Sequence, residues 1–349
     1  MNNSSLYPWQ SSVWQQLQAM RARLPHALLL HGPAGIGKTA FAEAFAQSLL
    51  CEAPAAEGHS CGVCVSCGWF GQYAHPDYRR VRPGLLDEEA AGEGEEGEAV
   101  EEVKEVKKAG KSAKPSKEIR VDQIRALADF MNISTHRQGK RVVVLYPAEA
   151  MNGITANALL KTLEEPPPNT VIILVSNSLD RLLPTILSRC RKLALPLPSQ
   201  AEALAWLKAQ GIADGDMWLA EQGGAPLTAL AQAQGAEREV IDEFLAHLAR
   251  PGVEAALKTA DRLSKAPPPE LVGLLQRWLY DLVATRLGGT IRYYPRYRKE
   301  LAALAQRVAT GDLLQAVKAV DRRRGIADHP LAPKLFIEDM LLEYAALFA

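Results

Sequence analysis

A glycine-rich loop separates a short apolar run from an amphipathic segment near the amino terminus of this 349-residue chain. The apolar run, residues 27–30, has the length of a buried strand, and residues 38–50 place apolar side chains at helical spacing. The loop between them matches the pattern G-x-x-x-x-G-K-S/T, and it consists of Gly32, Pro33, Ala34, Gly35, Ile36, Gly37, Lys38 and Thr39. A strand, such a loop and a helix in this order predict a phosphate-binding P-loop.

The residue types of this loop are those that bind nucleotide phosphates. Its glycines allow successive backbone N–H groups to face inward, where they donate to phosphate oxygens. We expect Lys38 to reach the outer phosphates and the Thr39 hydroxyl to be available to Mg²⁺. ATP or ADP is therefore the expected ligand, with Mg²⁺ left open. The alternative is a loop that keeps its shape without a ligand.

The acids that hydrolysis requires are missing from the next predicted strand. Phosphoryl transfer needs a carboxylate at the end of a neighbouring strand to hold Mg²⁺, and a residue beside it to orient the attacking water. The β-branched run of residues 141–145 leads instead into Tyr146 and Pro147. A phenol ionises poorly at neutral pH, and proline has no side-chain acceptor. Glu149 follows, but its spacing does not indicate a replacement, so we expect nucleotide binding without rapid hydrolysis.

Predicted strands and helices alternate along residues 1–196. Besides the elements around the loop, the pattern predicts strands at 141–145, 170–175 and 192–195 and helices at 121–130, 155–163 and 184–188. This alternation is typical of an α/β domain with a parallel sheet. After residue 196 only helical patterns follow, and glycine and proline pairs interrupt them. We divide this part into a small helical domain at 197–235 and a helical bundle at 236–349.

The composition is that of a soluble globular protein. Hydrophobic residues make up 48% of the chain, and Lys and Arg together number 40, as do Asp and Glu. These values argue against a disordered chain, a collagen-like repeat and a strongly basic nucleic-acid coat protein. No apolar run approaches the ~20 residues of a membrane span, and the first residues lack the pattern of a signal peptide. We expect a cytoplasmic protein with no membrane partner.

A strongly charged stretch interrupts the α/β part at residues 85–118. Ten acids and one lysine lie between Asp87 and Glu105, and a lysine-rich stretch follows them. Because it has few large apolar side chains, this insert cannot bury enough surface to offset the entropy of ordering it. We expect a disordered surface loop. An acidic decoy for DNA is the less favoured alternative.

Four of the five cysteines lie close together, at Cys51, Cys61, Cys64 and Cys67. In a reducing compartment this spacing favours metal binding over disulfide bonds. Four thiolates complete a tetrahedral zinc shell that leaves no position for a reactive water, so we predict a structural Zn²⁺. An iron–sulfur cluster is the alternative, but its usual fourth cysteine and following proline are absent after Cys67.

Two sequence blocks carry a resemblance to a known family. The first, residues 157–167, is Asn-Ala-Leu-Leu-Lys-Thr-Leu-Glu-Glu-Pro-Pro, and the second ends in Ser188, Arg189 and Cys190. With the P-loop and the four cysteines, they resemble the bacterial clamp-loader subunits, which are AAA+ proteins of the DNA polymerase III holoenzyme. The similarity is close over residues 1–195 and extends to the helical remainder in layout only. It implies an AAA+ P-loop domain, a small helical lid and a C-terminal all-α collar that mediates oligomerisation.

Within that family the chain most resembles the delta-prime subunits. The ATPase motor subunits (gamma/tau) carry Asp-Glu where this chain has Tyr146 and Pro147, and a lid arginine where it has Leu227. Both departures point away from the motor, which remains the alternative, and towards a stator that does not hydrolyse ATP. A transcription or protease regulator would need an effector segment that we do not find in the sequence.

The resemblance also implies partners. A clamp-loader stator assembles with gamma/tau motor subunits and a delta subunit in a heteropentamer, which loads the sliding clamp onto primer-template DNA during replication. Such a chain is part of a DNA-directed DNA polymerase, a nucleotidyltransferase, by complex membership. We expect no polymerase site in the chain itself and no intrinsic ATPase.

Arg189 is the residue to which the resemblance gives a chemical role. In the family, the Ser-Arg-Cys segment reaches the ATP site of the neighbouring subunit, so Arg189 is expected to act there as an arginine finger. A planar guanidinium that is always charged suits the negative charge that develops on a transferred phosphoryl group. The alternative is an arginine paired with an acid beside the sheet.

Arginines and tyrosines alternate in residues 292–299 of the predicted collar. A segment of this kind suits DNA phosphates and the stacking of bases. Polar and aromatic loops also join bundle helices, however, and contact between subunits is the preferred expectation for this one.

Overall fold

The computed structural model describes residues 6–86, 116–133, 135–136, 139–235, 238–327 and 332–348. The chain divides into two compact units, Met1–Leu197 and Pro198–Ala349. The charged insert predicted at 85–118 lies outside the described residues except at its ends. There the Leu85 N–H donates to the Ser116 carbonyl across 3.1 Å, so the two ends of the insert are adjacent.

The first unit is built on a parallel sheet of five strands. They are β1 (Ala27–His31), β2 (Tyr78–Val81), β3 (Arg141–Leu145), β4 (Thr170–Ser176) and β5 (Arg191–Ala194). Their order across the sheet is β2-β3-β4-β1-β5, and every neighbouring pair is parallel. All residues of β3 and β4 are buried, which is typical of central strands covered on both faces. The carboxyl ends of β3, β4 and β1 therefore lie side by side.

Of the described α-helices in this unit, one precedes the first strand and the others lie between successive strands, which confirms the predicted alternation. They are α1 (Ser11–Ala19), α2 (Lys38–Leu50), α3 (Val65–Gly71), α4 (Val121–Asn132), α5 (Gly153–Glu164) and α6 (Pro184–Arg189). The predicted helices at 121–130, 155–163 and 184–188 are each extended by one to three residues. Helix α5 begins two residues early because the Asn152 side chain accepts the Thr155 N–H across 3.0 Å and caps it.

In the described residues of the second unit, every regular element is helical. Its helices are α7 (Gln200–Ala209), α8 (Gly215–Glu221), α9 (Pro226–Gln234), α10 (Arg238–Ala249), α11 (Val253–Arg262), α12 (Pro268–Arg286), α13 (Arg298–Arg307), α14 (Thr310–Ile326) and α15 (Pro333–Ala346). A small apolar cluster joins the first three helices, and a larger one, which includes the buried Trp278, joins the rest. The boundary between a lid at 197–235 and a collar at 236–349 remains a prediction.

Among the described residues, no helix combines the length and apolar character that crossing a membrane requires.

Candidate functional site

The P-loop follows β1 and has a backbone that only glycine adopts easily. Gly35 and Gly37 have φ angles of 74° and 82°, in the left-handed region. A Cβ atom at Gly37 would also collide with the Tyr7 ring, and one at Gly32 with the Leu195 carbonyl. Helix α2 then begins directly after Gly37, at Lys38. The sequence-predicted loop thus ends at the amino terminus of a helix, which is a favourable position for phosphate.

An amino-terminal segment, residues 7–10, covers the loop. The Trp9 indole N–H donates to the Ile36 carbonyl across 3.0 Å, and Trp9 stacks on Tyr7 at a centroid distance of 4.9 Å. The Gln10 amide donates to the carbonyls of Ile36 (2.9 Å) and Gly37 (3.0 Å). These bonds satisfy loop carbonyls and hold the loop in shape. The sequence of this segment, Tyr-Pro-Trp-Gln, resembles the entry segment of the clamp-loader family, whose aromatic residues pack beside the nucleotide pocket, although ordinary core packing explains these residues equally well.

Lys38 lies inside the loop rather than in solvent. Its side chain is only 4% exposed, and its ammonium donates to the Pro33 carbonyl. Burial lowers the pKa of Lys38 to about 8, while the charge of Glu149 opposes that change. The loop therefore holds a positive charge in a poorly solvated position, where an incoming phosphate would stabilise it.

Tyr146, at the end of β3, turns its phenol towards helix α2. The hydroxyl donates to Glu43 Oε1 across 3.2 Å, and the Tyr73 hydroxyl donates to Oε2 across 3.3 Å. Arg80 lies 3.9 Å from the same carboxylate and over the Tyr73 ring. Burial, followed by the negative charge of Glu43, raises the pKa of Tyr146 to about 12. At neutral pH the phenol keeps its proton and cannot serve as an anionic ligand for Mg²⁺.

Glu149 lies at the same end of the sheet, between the ends of β3 and β4. Its Oε1 accepts the Asn177 N–H across 3.0 Å, and its Oε2 is buried with no hydrogen-bond partner in the described part of the chain. Its negative charge favours the protonated form of Lys38 and so partly opposes the effect of burial on the pKa of that lysine. Sequence spacing did not reveal this placement, which depends on the pairing of β3 with β4.

Arg189 is the last residue of helix α6 and forms an ion pair with Glu164. Its Nη1 also donates to the Thr185 carbonyl across 2.9 Å and, at 3.4 Å, to the Ser188 hydroxyl. The acid pairing considered as the alternative from the sequence is thus present. The Arg189 side chain nevertheless remains 33% exposed.

The four predicted zinc ligands come together in space. The sulfur atoms of Cys51, Cys61, Cys64 and Cys67 all lie within 4.8 Å of one another, and those of Cys51 and Cys64 are 4.0 Å apart. Zn–S bonds of about 2.3 Å in a tetrahedron separate the sulfur atoms by about 3.8 Å, so the residues fit Zn²⁺. No water ligand is needed to complete such a shell.

Backbone hydrogen bonds support these sulfur atoms. The Cys61 N–H donates to Cys51 Sγ (3.2 Å), the Cys64 N–H to Cys61 Sγ (3.4 Å), and the Cys67 N–H to Cys64 Sγ (3.4 Å). Backbone donors lower the pKa of Cys61 to about 6, whereas burial raises the pKa of Cys51 and of Cys67. A dication would favour the thiolate at all four positions.

Two histidines near the cysteines, His59 and His75, are a further kind of metal ligand by residue type, but both contact other side chains. His59 stacks on Trp14 at a centroid distance of 4.6 Å, and His75 Nε2 lies 2.7 Å from the Ser66 hydroxyl. Because His75 Nδ1 accepts the Asp77 N–H, its proton is on Nε2, and His75 donates to Ser66 rather than activating it as a base.

The arginine and tyrosine segment at 292–299 packs into its own unit. Tyr294 is buried, Tyr297 packs against Trp278 at a centroid distance of 5.4 Å, and Arg296 pairs with Asp242 across 2.6 Å. These aromatic rings are therefore engaged in packing rather than free to stack on bases. The contact between subunits expected for this loop remains a prediction.

The chain is similar to several known proteins. A family model described as DNA polymerase III, delta subunit, matches residues 9–199. The DNA polymerase III subunit delta' of Pseudomonas aeruginosa is 39% identical over 310 residues, which cover 86% of this chain and 82% of that protein. The Escherichia coli protein of the same name is 32% identical over 270 residues, with coverages of 75% and 72%. A solved gamma subunit-related protein from Thermotoga maritima aligns over 96% of this chain and 99% of its own, at 15% identity and a TM-score of 0.43.

Proposed function

The chain belongs to the DNA polymerase III delta-prime family of clamp-loader subunits, and from this premise we propose that it is a stator that binds nucleotide without hydrolysing it. The observation that carries the proposal is the hydrogen bond from Tyr146 to Glu43. Tyr146 directly follows β3, at the position where an ATPase motor subunit needs a carboxylate for Mg²⁺. The motor alternative would require that carboxylate.

The proposal assigns nucleotide binding to the P-loop of residues 32–39. The buried ammonium of Lys38 would exchange the Pro33 carbonyl for phosphate oxygens, and the loop N–H groups would donate to the same oxygens. Mg²⁺, if present, would have the Thr39 hydroxyl as a ligand but no acid from β3. Bound ATP would therefore remain intact.

The proposal assigns Arg189 to a neighbouring subunit's ATP site. Its side chain is partly exposed at the end of α6, and its guanidinium already binds an anionic oxygen in the ion pair with Glu164. The same group could stabilise the charge on a phosphoryl group during transfer. The catalytic contribution of the chain would then be made in trans.

We assign the remaining parts by family membership. Residues 236–349 would form the collar, through which the chain joins gamma/tau and delta subunits in a heteropentamer, with residues 197–235 as the lid. The complex would act on the sliding clamp and primer-template DNA. Zn²⁺ bound by the four cysteines would hold the small segment at 51–67 together.

A reconstituted complex tests both parts of this function. The isolated chain should bind ATP but release phosphate no faster than a buffer blank. Arg189→Ala should leave the pentamer assembled and lower the DNA-stimulated ATPase at the neighbouring site by about tenfold or more. Arg181→Ala removes an exposed arginine of the same region and should have no effect. Fast hydrolysis by the isolated chain, or full activity of the Arg189→Ala complex, would contradict the proposal.

A further inference from the structure

The Glu164 carboxylate lies at a position that its own helix disfavours. Glu164 is the last residue of helix α5, where the partial negative charge of the helix end opposes a carboxylate. Its ion-pair partner, Arg189, is the last residue of α6, where the same effect favours a cation. The end of its own helix therefore stabilises the charge of Arg189. The charge of Glu164 is disfavoured by its own helix and is stabilised by Arg189.

The contacts of Arg189 lie on part of its guanidinium. Nη1 donates to the Thr185 carbonyl and the Ser188 hydroxyl, and Nη2 contacts Glu164. A guanidinium has five N–H donors in a fixed plane. The contacts of Nη1 and Nη2 therefore fix the orientation of that plane and leave other donors for a second anion. The Arg189 side chain as a whole is 33% exposed.

We propose that Glu164 is a positioning residue for the arginine finger: it holds the Arg189 guanidinium in one orientation so that its remaining donors meet the neighbouring subunit's phosphates. This inference rests on the proposed role of Arg189. A side chain as long as arginine loses conformational freedom when it binds, and Glu164 removes part of that freedom before assembly. Glu164 itself does not touch the nucleotide.

The matched pair Glu164→Gln and Glu165→Gln tests this role. Both variants remove one negative charge from adjacent exposed residues, and only Glu164 is paired with Arg189. In the reconstituted complex, Glu164→Gln should lower kcat of the neighbouring ATPase about two- to fivefold, the range expected for an exposed ion pair, with KM for ATP unchanged. Glu164→Asp keeps the negative charge, so its kcat should fall less than that of Glu164→Gln. Glu165→Gln should change neither kcat nor KM.

Two further measurements separate positioning from a general structural effect. In the Arg189→Ala background, Glu164→Gln should cause no additional loss, because its effect passes through the arginine. In the isolated chain with ¹⁵N-labelled arginine, the Nε–H signal that disappears in Arg189→Lys should be ordered in the wild type and mobile in Glu164→Gln. Glu165→Gln should leave that signal ordered.

The outcomes distinguish this inference from the proposed function. If Arg189→Ala lowers the ATPase but Glu164→Gln matches Glu165→Gln, the finger stands and the positioning role is wrong. An Arg189 signal that stays ordered in Glu164→Gln overturns the positioning role in the same way. If Arg189→Ala has no effect, the finger itself is wrong and the positioning role falls with it, even where the NMR signal shows the pair intact.

Discussion

The phenol of Tyr146 donates a hydrogen bond to the carboxylate of Glu43, which links the end of β3 to the helix that follows the P-loop. Burial raises the pKa of both groups. The phenol therefore stays protonated and anchors a neighbouring carboxylate instead of presenting an acid to Mg²⁺. The residue after β3 thus makes a structural contact with helix α2.

Replacing the phenol with an acid should destabilise the chain rather than create a motor. Tyr146→Asp would place a second carboxylate beside Glu43, and we expect the free energy of unfolding to fall by about 2 kcal/mol. We expect no gain in ATP hydrolysis, because Leu227 stands where the motor subunits have a lid arginine. The deficit should shrink as the pH is lowered to about 5, because protonating one carboxyl removes the repulsion. Urea unfolding and phosphate release measure the two effects.

The matched control is Tyr146→Phe, which removes only the hydroxyl. It should cost about 1 kcal/mol, the value of one hydrogen bond, and its deficit should change little with pH. Wild-type stability in Tyr146→Asp would contradict the structural role of Tyr146. Rapid ATP hydrolysis by this variant would contradict the expectation that one acid at this position is not sufficient for hydrolysis.

Nucleotide affinity should depend on pH through Lys38. Its pKa is about 8 in the free loop because of burial, and bound phosphate should raise it. A group whose pKa rises on binding contributes fully below its free pKa, and its contribution is lost as the pH increases through the bound pKa. ATP affinity should therefore be constant near pH 7 and fall by up to tenfold per unit above about pH 8.

Calorimetric titration between about pH 7.5 and pH 9.5 measures this dependence while the phosphate is fully ionised. Lys38→Ala should bind weakly at every pH, and Lys161→Ala, an exposed lysine outside the loop, should behave as the wild type. An affinity that stays flat across this range would exclude Lys38 as the phosphate contact. If ATP does not bind at any pH, the result would favour the alternative in which the loop keeps its shape without a ligand.

Local patterns predicted the parts of the fold and site that depend on neighbouring residues. The P-loop and its helix, the buried strand at 141–145 and the four cysteines all follow from spacing or residue type. The inability of Tyr146 to act as an acid also followed from its chemistry alone. The structure adds the physical reason, which is the bond to Glu43.

Contacts between distant segments could not be predicted in this way. Glu43 meets Tyr73 and Tyr146 because helix α2 packs against the end of β3, and no sequence period encodes that contact. The pair of Glu164 with Arg189 likewise depends on where two helices end relative to each other. Side-chain partners of this kind are set by tertiary packing, so residue type identifies candidates but does not pair them.

Zinc content should depend on the clustered cysteines and not on the fifth. Cys64→Ser removes one of four sulfur ligands and should lower zinc from one ion per chain to a small fraction, because a three-sulfur site binds less tightly. Cys190→Ser is the control, since Cys190 is a buried cysteine outside the cluster. Elemental analysis after dialysis against a chelator measures the difference, and iron with visible absorption would instead indicate the iron–sulfur alternative.

The carboxylate of Asp281 holds the start of the arginine and tyrosine segment. It is fully buried, with Oδ1 accepting the Arg292 N–H across 2.8 Å and Oδ2 accepting those of Tyr293 (2.9 Å) and Tyr294 (2.7 Å). Asp281→Asn replaces one oxygen with an NH₂ group that faces a donor, so urea unfolding should show a loss of about 2–3 kcal/mol. Asp312→Asn, at an exposed acid, should stay within about 0.5 kcal/mol of the wild type. Equal stability of the two variants would mean that the three backbone bonds do not hold this loop.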